Sequence, residues 1–467
     1  MQPSSAFRPS MSLLDATMIV AGSMIGSGIF IVSADMIRNV GSAGWLIIVW
    51  VITGFMTISA ALSYGELSAM YSKAGGQYVY LNKAYNPLIA FLYGWSFFTV
   101  IQTATIAAVG VAFAKFTAYI FPVFSEDSVL FSVAFFDITP AQVLAISIII
   151  VLTYINSCGI KNGKIIQTTF TLTKILSLIG LIVAGIFVAS PEVFHANWQH
   201  AWTLQQLNTD GSFEQYTAIA SAGAVAAAMV GSIFSSDSWN NVTFIAGEIR
   251  NPQRNIGLSL FIGTLLVTII YISTNLVYTG VLQLHDLAFA KKDRVGVAVS
   301  EIIFGQAGTG IIAVMIMVST FGCNNGLILS GARVYYSMAQ DGLFFKKAGI
   351  LNKFSVPSYG LWLQCIVACL WCISGKYGDL LDMISFVVVL FYILTIAGIF
   401  ILRKKQPDIP RPYKAIGYPI LPLLYILMGA AFCMLLIVYK PKFTWPGLLI
   451  GLLGIPVYYL LAGKKKQ

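Results

Sequence analysis

The sequence predicts an all-α membrane protein of twelve transmembrane helices with both termini cytoplasmic. Three observations carry that expectation. The chain is 58% hydrophobic and only 10% charged, with a mean hydropathy of +0.81, whereas soluble domains average about 25% charged residues. Apolar runs of spanning length follow one another from end to end, so the 467 residues read as one membrane unit. Lys and Arg, finally, sort unevenly between alternate loops.

The runs fall at 14–37, 43–70, 87–121, 140–158, 165–189, 218–247, 257–282, 306–339, 358–375, 379–402, 417–438 and 444–462. With the N-terminus inside, 19 of the 28 basic residues fall on the cytoplasmic side, among them Arg8, Lys73, Arg250, Arg333, Arg403 and Lys464. Seven fall outside, including Arg38, Lys292, Arg294, Lys376 and Lys440, while Lys115 and Lys174 lie within spans. The outer loops 122–139 and 190–217 carry no Lys or Arg, and 283–300 carries mixed charge. The first dozen residues are polar and the first apolar run is full length, so no cleavable signal peptide is expected. The organisation predicted is a cytoplasmic tail 1–13, a first five-helix repeat 14–189, an outer loop 190–217, a second five-helix repeat 218–402, and helices eleven and twelve with a cytoplasmic C-terminus at 403–467. The final "GKKKQ" reads as a cytoplasmic anchor.

The first span carries "AGSMIGSGIF" at 21–30. Gly inside a helix costs about 1 kcal/mol relative to Ala, and Gly22, Gly26 and Gly28 with Ser23 and Ser27 make a local break cheap. Gly22 and Gly26 also form a small-xxx-small pair, which suits close helix packing. In the second span Glu66, in "SYGELSAM", falls near the inner end and is a candidate to tie an inner gate to a basic group. The stretch 71–86 is amphipathic and Tyr-rich, as in an interfacial helix. Lys115, near the outer end of the third span, can snorkel to the surface. Lys174 lies near mid-depth in the fifth span, where snorkelling is hard, so a held positive charge is expected there.

The sixth span turns polar at Ser235, Ser236, Asp237 and Ser238 and resumes after Trp239, Asn240 and Asn241. Spans one and six are thus both discontinuous and open two five-span halves. Five is odd, so the second half starts from the opposite side and the repeat is inverted. A half-helix restarting at Ser27, Gly28 and Ile29 presents unpaired N–H groups to a carboxylate. Half-helices ending near Met24 and Phe234 present carbonyls to an ammonium. Such a site suits a zwitterion. Asp237 reads equally as a cap for the restarting helix or as a substrate or proton contact. Trp239 reads as a packing anchor at the substrate site or as a ligand contact, and Arg333 as a structural anchor ending the eighth span.

In order along the chain, "GSMIGSGIF", "YGELSAMYSKAGGQYVYLNKAY", "FTLTK", "WNNVTFIAGEIRNPQRN", "SGARVYYSMAQDGLF" and "RPYKAIGYP" resemble the amino acid–polyamine–organocation transporters, and among them the L-type amino acid transporters and their bacterial relatives. The resemblance covers residues 12 to about 420. It implies a LeuT-like fold of five-plus-five inverted repeats and a substrate carboxylate at Gly26, Ser27 and Gly28. It implies an amine at the carbonyls near Met24 and Phe234, with Phe234 as an aromatic lid. Lys174 matches the family's fifth-span lysine, which implies a contact to carbonyls near Gly22 and to the Ser319 hydroxyl, and transport without sodium. Close relatives often have Gly where this chain has Asp237 and Ser238, and the mammalian light chains carry a Cys in the loop between spans three and four. Loop 122–139 has none, so no disulfide-linked ancillary subunit is expected.

The reading is a sodium-independent secondary transporter of L-α-amino acids in the cell membrane, an exchanger or proton-linked, working by alternating access, with small neutral side chains suited to a wall of Ser235, Ser236, Ser238 and Asn240. It needs no cofactor or metal. The alternatives are a cationic amino acid or polyamine carrier, encouraged by Asp237, and a receptor that binds amino acid without moving it. An enzyme lacks a catalytic constellation, since His195, His200 and His285 all fall in outer loops. A nucleic-acid partner lacks a basic patch with readable aromatics, and a channel lacks a charged ring or filter motif. The six Cys lack the His or carboxylate neighbours of a metal site.

Overall fold

A computed structural model describes residues 7, 9–133, 136–374 and 377–463. Arg8, Lys376 and Lys464 to Lys466, which enter the charge argument, lie outside the described residues.

The first apolar run folds as two helices. α1 (Leu13–Met24) begins at a capping box in which the Ser12 hydroxyl accepts from the Asp15 N–H and the Asp15 carboxylate accepts from the Ser12 N–H. It stops at Ile25, and a tight turn at Gly28–Phe30 leads into α2 (Val32–Val40), closed by Gly41 at φ 61°. α3 (Ala43–Met70) returns to the N-terminal face of the bundle. There the Tyr-rich stretch forms α4 (Gln77–Ala84), with Gln77, Tyr78, Tyr80 and Leu81 buried, so it is packed into the bundle rather than lying at an interface.

α5 (Pro87–Ser96) and α6 (Gln102–Ile120) are one continuous rod joined by a π-helical turn at Phe97–Ile101. That wider turn re-aims Gln102, whose amide reaches the Leu327 carbonyl at 2.6 Å. On the far face, β1 (Phe131–Val133) and β2 (Phe136–Ile138) pair antiparallel. α7 (Pro140–Ser157) starts with Thr139 as cap and Pro at the first turn, and α8 (Ile160–Val188) carries Lys174. α9 (Pro191–Trp198) and the hairpin β3 (Gln205–Leu207) and β4 (Phe213–Gln215) fill the expected outer loop.

The sixth run breaks as expected, into α10 (Ala218–Ser235) and the short α11 (Asn241–Phe244). α12 (Pro252–Val281) follows, then α13 (Leu284–Ala288) and the long α14 (Val295–Gln340), which bends at Gly305 with φ 67°. The eighth helix therefore begins before the apolar run at 306 does. α15 (Ser358–Ser374), α16 (Tyr377–Lys405) and α17 (Ile420–Tyr439) follow. The last run is split into α18 (Pro441–Leu452) and α19 (Gly454–Gly463). Pro456 removes the donor for the Leu452 carbonyl, which accounts for the kink.

Among the described residues, ten helices are long and apolar enough to cross a membrane, and Leu13–Met24 and Ser358–Ile373 are shorter apolar helices. The core lies where α1, α2, α10 and α11 are surrounded by α3, α6, α8, α12, α14 and α16.

Candidate functional site

The two breaks touch. Gly22 and Gly28 have ordinary negative φ; what each position demands is the absence of a side chain. A Cβ on Gly28 would lie 2.0 Å from Ser235 Oγ, and one on Gly22 would lie 2.1 Å from Thr171 Oγ1 of α8. The glycines thus serve close packing as well as the break.

The last carbonyls of α1 have lost their helical donors, and side chains from other helices supply new ones. Lys174 Nζ donates to Gly22 O at 2.5 Å and to Ile25 O at 2.6 Å. Its contact to Ser319 is to the carbonyl oxygen, at 3.5 Å, and not to the hydroxyl as expected. The Ser319 hydroxyl lies instead 3.3 Å from Ile25 O and 3.2 Å from Gly26 O. Cys323 Sγ reaches Ser23 O at 3.1 Å. The Tyr271 hydroxyl lies 3.0 Å from Met24 O and 3.1 Å from Ser235 O, so one donor spans both breaks. The Met24 carbonyl, expected to face an ammonium, is therefore occupied by a phenol. Beyond the break, the N–H groups of Gly26, Gly28 and Ile29 make no main-chain hydrogen bond among the described residues.

At the second break the Ser236 N–H returns to Ser232 O at 2.9 Å and the Asp237 N–H to Phe234 O at 3.2 Å. Ser238 then takes φ 65°, left-handed backbone that strains an L side chain. Asn240 is the residue before α11, so Asp237 does not cap that helix. Its carboxylate accepts from the Tyr392 hydroxyl at 2.6 Å. The Asn240 amide donates to Gln77 Oε1 at 2.9 Å, away from the first break. Ser235 Oγ donates back to Gly231 O at 2.8 Å. Trp239 is buried, edge-on to Tyr64 with ring centroids 4.7 Å apart, which fits the packing role. Phe234 is also buried in the core.

Two small cavities flank Asp237. One, of about 10 Å³, is bounded by Gln77, Tyr93, Gln102 and Asn240; the other, of about 20 Å³, by Thr53, Ser236 and Tyr392. A water needs roughly 10–15 Å³, so each has room for a water and neither for an amino acid. The large opening, about 830 Å³, is on the far face and reaches down to Val32, Val230 and Gly231.

The N-terminal face is closed by charge pairs. Glu66 is fully buried; Arg403 holds it at 3.0 and 2.7 Å, Arg411 lies at 3.5 Å, and the Ala415 N–H donates at 2.7 Å. These partners come from α16 and the segment after it, so Glu66 ties α3 to α16. A second pair, Glu248 with Arg333 at 3.0 Å, is almost wholly buried. The Ser10 and Met11 N–H groups donate to Glu248 O at 2.9 and 3.0 Å, so the start of the chain is stitched to the same point.

Sequence reasoning missed Tyr271 and its neighbours on α12. Asn275 receives the Ser33 hydroxyl at 2.7 Å and Tyr278 reaches Ile29 O at 3.3 Å. Tyr271, Asn275 and Tyr278 fall at i, i+4 and i+7, a polar stripe in an apolar run that periodicity displays. The Glu248–Arg333 pair had no such signal. Among the described residues no group of three or more His, Cys, Asp or Glu is placed to hold a metal ion.

Comparison with known proteins bears on the kind of protein this is. The amino acid permease family model matches residues 11–457. Human "Large neutral amino acids transporter small subunit 2" is 29% identical over 460 residues, covering 97% of this chain and 81% of its own. Mouse "b(0,+)-type amino acid transporter 1" is 27% identical over 459 residues, covering 98% and 88%. The "Serine/threonine exchanger SteT" of Bacillus subtilis (strain 168) is 28% identical over 467 residues, covering 99% and 98%.

Proposed function

The chain belongs to the amino acid permease family, and from that premise we propose a sodium-independent secondary transporter of L-α-amino acids, small neutral ones first, working by alternating access. That it is a multi-pass membrane transporter of amino acids in kind, and not an enzyme, follows from its relatives. The finer reading goes further. It takes the broken α1–α2 and the short α15 as spans beside the ten long helices, giving twelve. It takes 14–189 and 218–402 as LeuT-like inverted repeats, with both termini cytoplasmic. The protein works without a disulfide-linked partner, since 122–139 has no Cys.

One observation carries the sodium independence. The Lys174 ammonium already occupies the oxygens of Gly22, Ile25 and Ser319 between α1, α8 and α14. Those oxygens are the hard donors that a bound sodium ion would need. The free N–H groups at Gly26 and Gly28 receive the substrate carboxylate. The ammonium competes with Tyr271 for Met24 O and Ser235 O. The buried Glu248–Arg333 pair on the N-terminal face and the cavity on the far face support the alternating-access reading.

Asp237 supports a second reading. Its buried carboxylate forms no ion pair among the described residues and lies at the second break, where a cationic amino acid or polyamine would find a counter-charge. Counterflow decides. Liposomes loaded with unlabelled L-serine are diluted into labelled L-serine in sodium-free buffer, with twenty amino acids as competitors. Saturable counterflow, unchanged by sodium and inhibited by alanine and threonine, is the expected result. A strict sodium requirement overturns the role given to Lys174. Binding without flux makes the protein a receptor, and dominant inhibition by arginine makes it a cationic carrier.

A further inference from the structure

The far-face cavity, about 830 Å³, admits a whole amino acid, unlike the water-sized spaces beside Asp237. It ends where Val32 meets Gly231, whose Cβ would lie 2.8 Å from that of Val32. A ligand arriving from this side must therefore wait above the breaks until α2 and α10 part.

Most charges in the wall already have partners. Arg38 donates to Asp293 at 2.8 Å and to Ala288 O at 2.6 Å. Lys292 pairs with Asp127, and Lys440 lies 3.5 Å from Asp382. Lys115, on the last turns of α6, lines the same cavity and forms no hydrogen bond or ion pair through its ammonium among the described residues. Asp293 and Glu126 act on it only at a distance, and Lys292 and Arg294 reinforce the positive potential. Arg294 Nη2 also donates to the Lys115 carbonyl at 2.6 Å, which holds this end of α6 in position. A partly buried ammonium that lines an open cavity and makes no direct ion pair is set up to receive an anion, in competition with Asp293 and Glu126 of the same wall. On the same wall Asp137 accepts one hydrogen bond, from Ser132 Oγ at 2.6 Å. A carboxylate has more lone pairs than that, so it keeps capacity for an ammonium.

We infer that the vestibule is a second binding site for the zwitterion, a first station in which Lys115 takes the α-carboxylate before the ligand passes Val32 and Gly231. The inference rests on the transporter reading and adds a site to it. The station is wet and screened, so it binds weakly, and its effect is on capture from the far side.

The test measures half-saturation from each side, in intact cells and in inverted vesicles, with labelled L-serine and with labelled L-leucine. Lys115→Gln should raise the far-side half-saturation by roughly two- to fivefold, the size of a screened charge pair, with the opposite side unmoved. Lys115→Arg should restore the wild-type value. An unchanged far-side value for Lys115→Gln overturns the inference. So does an equal rise on both sides, or equal impairment of the Gln and Arg variants, since either would mark a structural role. A wild-type protein that moves neither amino acid overturns the transporter reading itself and this site with it, an outcome distinct from the others.

Discussion

Lys174 Nζ lies 2.5 Å from the carbonyl oxygen of Gly22, a residue 152 positions earlier in the chain. One ammonium thus supplies donors to Gly22 O and Ile25 O where α1 stops, and holds α8 against the first break. Removing it leaves carbonyls unpaired at mid-depth, at about 1–3 kcal/mol each. Lys174→Ala is expected to lower serine counterflow in liposomes by at least about tenfold, the equivalent of 1.4 kcal/mol. Wild-type rates would remove Lys174 from the mechanism.

Tyr271 joins the two breaks through Met24 O and Ser235 O. Tyr271→Phe keeps the ring and deletes the donor. The variant should melt at a lower temperature, by the amount that about 1–3 kcal/mol produces, and its half-saturation for serine should shift because the substrate ammonium no longer displaces a hydroxyl. Thermal unfolding in detergent and counterflow read the two effects separately; no change in either would mean the hydroxyl is idle.

Ser238 holds φ 65° in the second break. Gly adopts that angle without steric cost, and an L residue there is strained by about 1–2 kcal/mol. Ser238→Gly should raise the melting temperature and Ser238→Val lower it. A stabilising Val would show that the left-handed turn is not maintained.

Glu248 and Arg333 are both buried. Deleting one charge leaves the other unpaired, at about 3–5 kcal/mol, whereas replacing both with uncharged groups is far milder. Glu248→Gln should destabilise the protein strongly, and Glu248→Gln with Arg333→Met should recover most of the loss. Additive losses in the thermal unfolding of the double variant would contradict a direct pairing.

Much of this architecture was legible along the chain because the controlling physics is local. A run of apolar residues must cross lipid as a helix, so spans such as Ala43–Met70 and Pro252–Val281 follow from composition and length. The glycines at 22, 26 and 28 and the polar run from Ser235 to Asp237 weaken a helix wherever they stand, so both interruptions could be located in advance. The tertiary structure decided who meets those interruptions. Tyr271 reaches across 247 positions to Met24, Tyr392 across 155 to Asp237, and Arg403 across 337 to Glu66. Each is a single side chain on a helix whose periodicity is the same whichever neighbour it faces. A hydrogen bond between distant helices depends on their mutual rotation and depth, set by packing of the whole bundle, and leaves no repeat in the sequence from which it can be read.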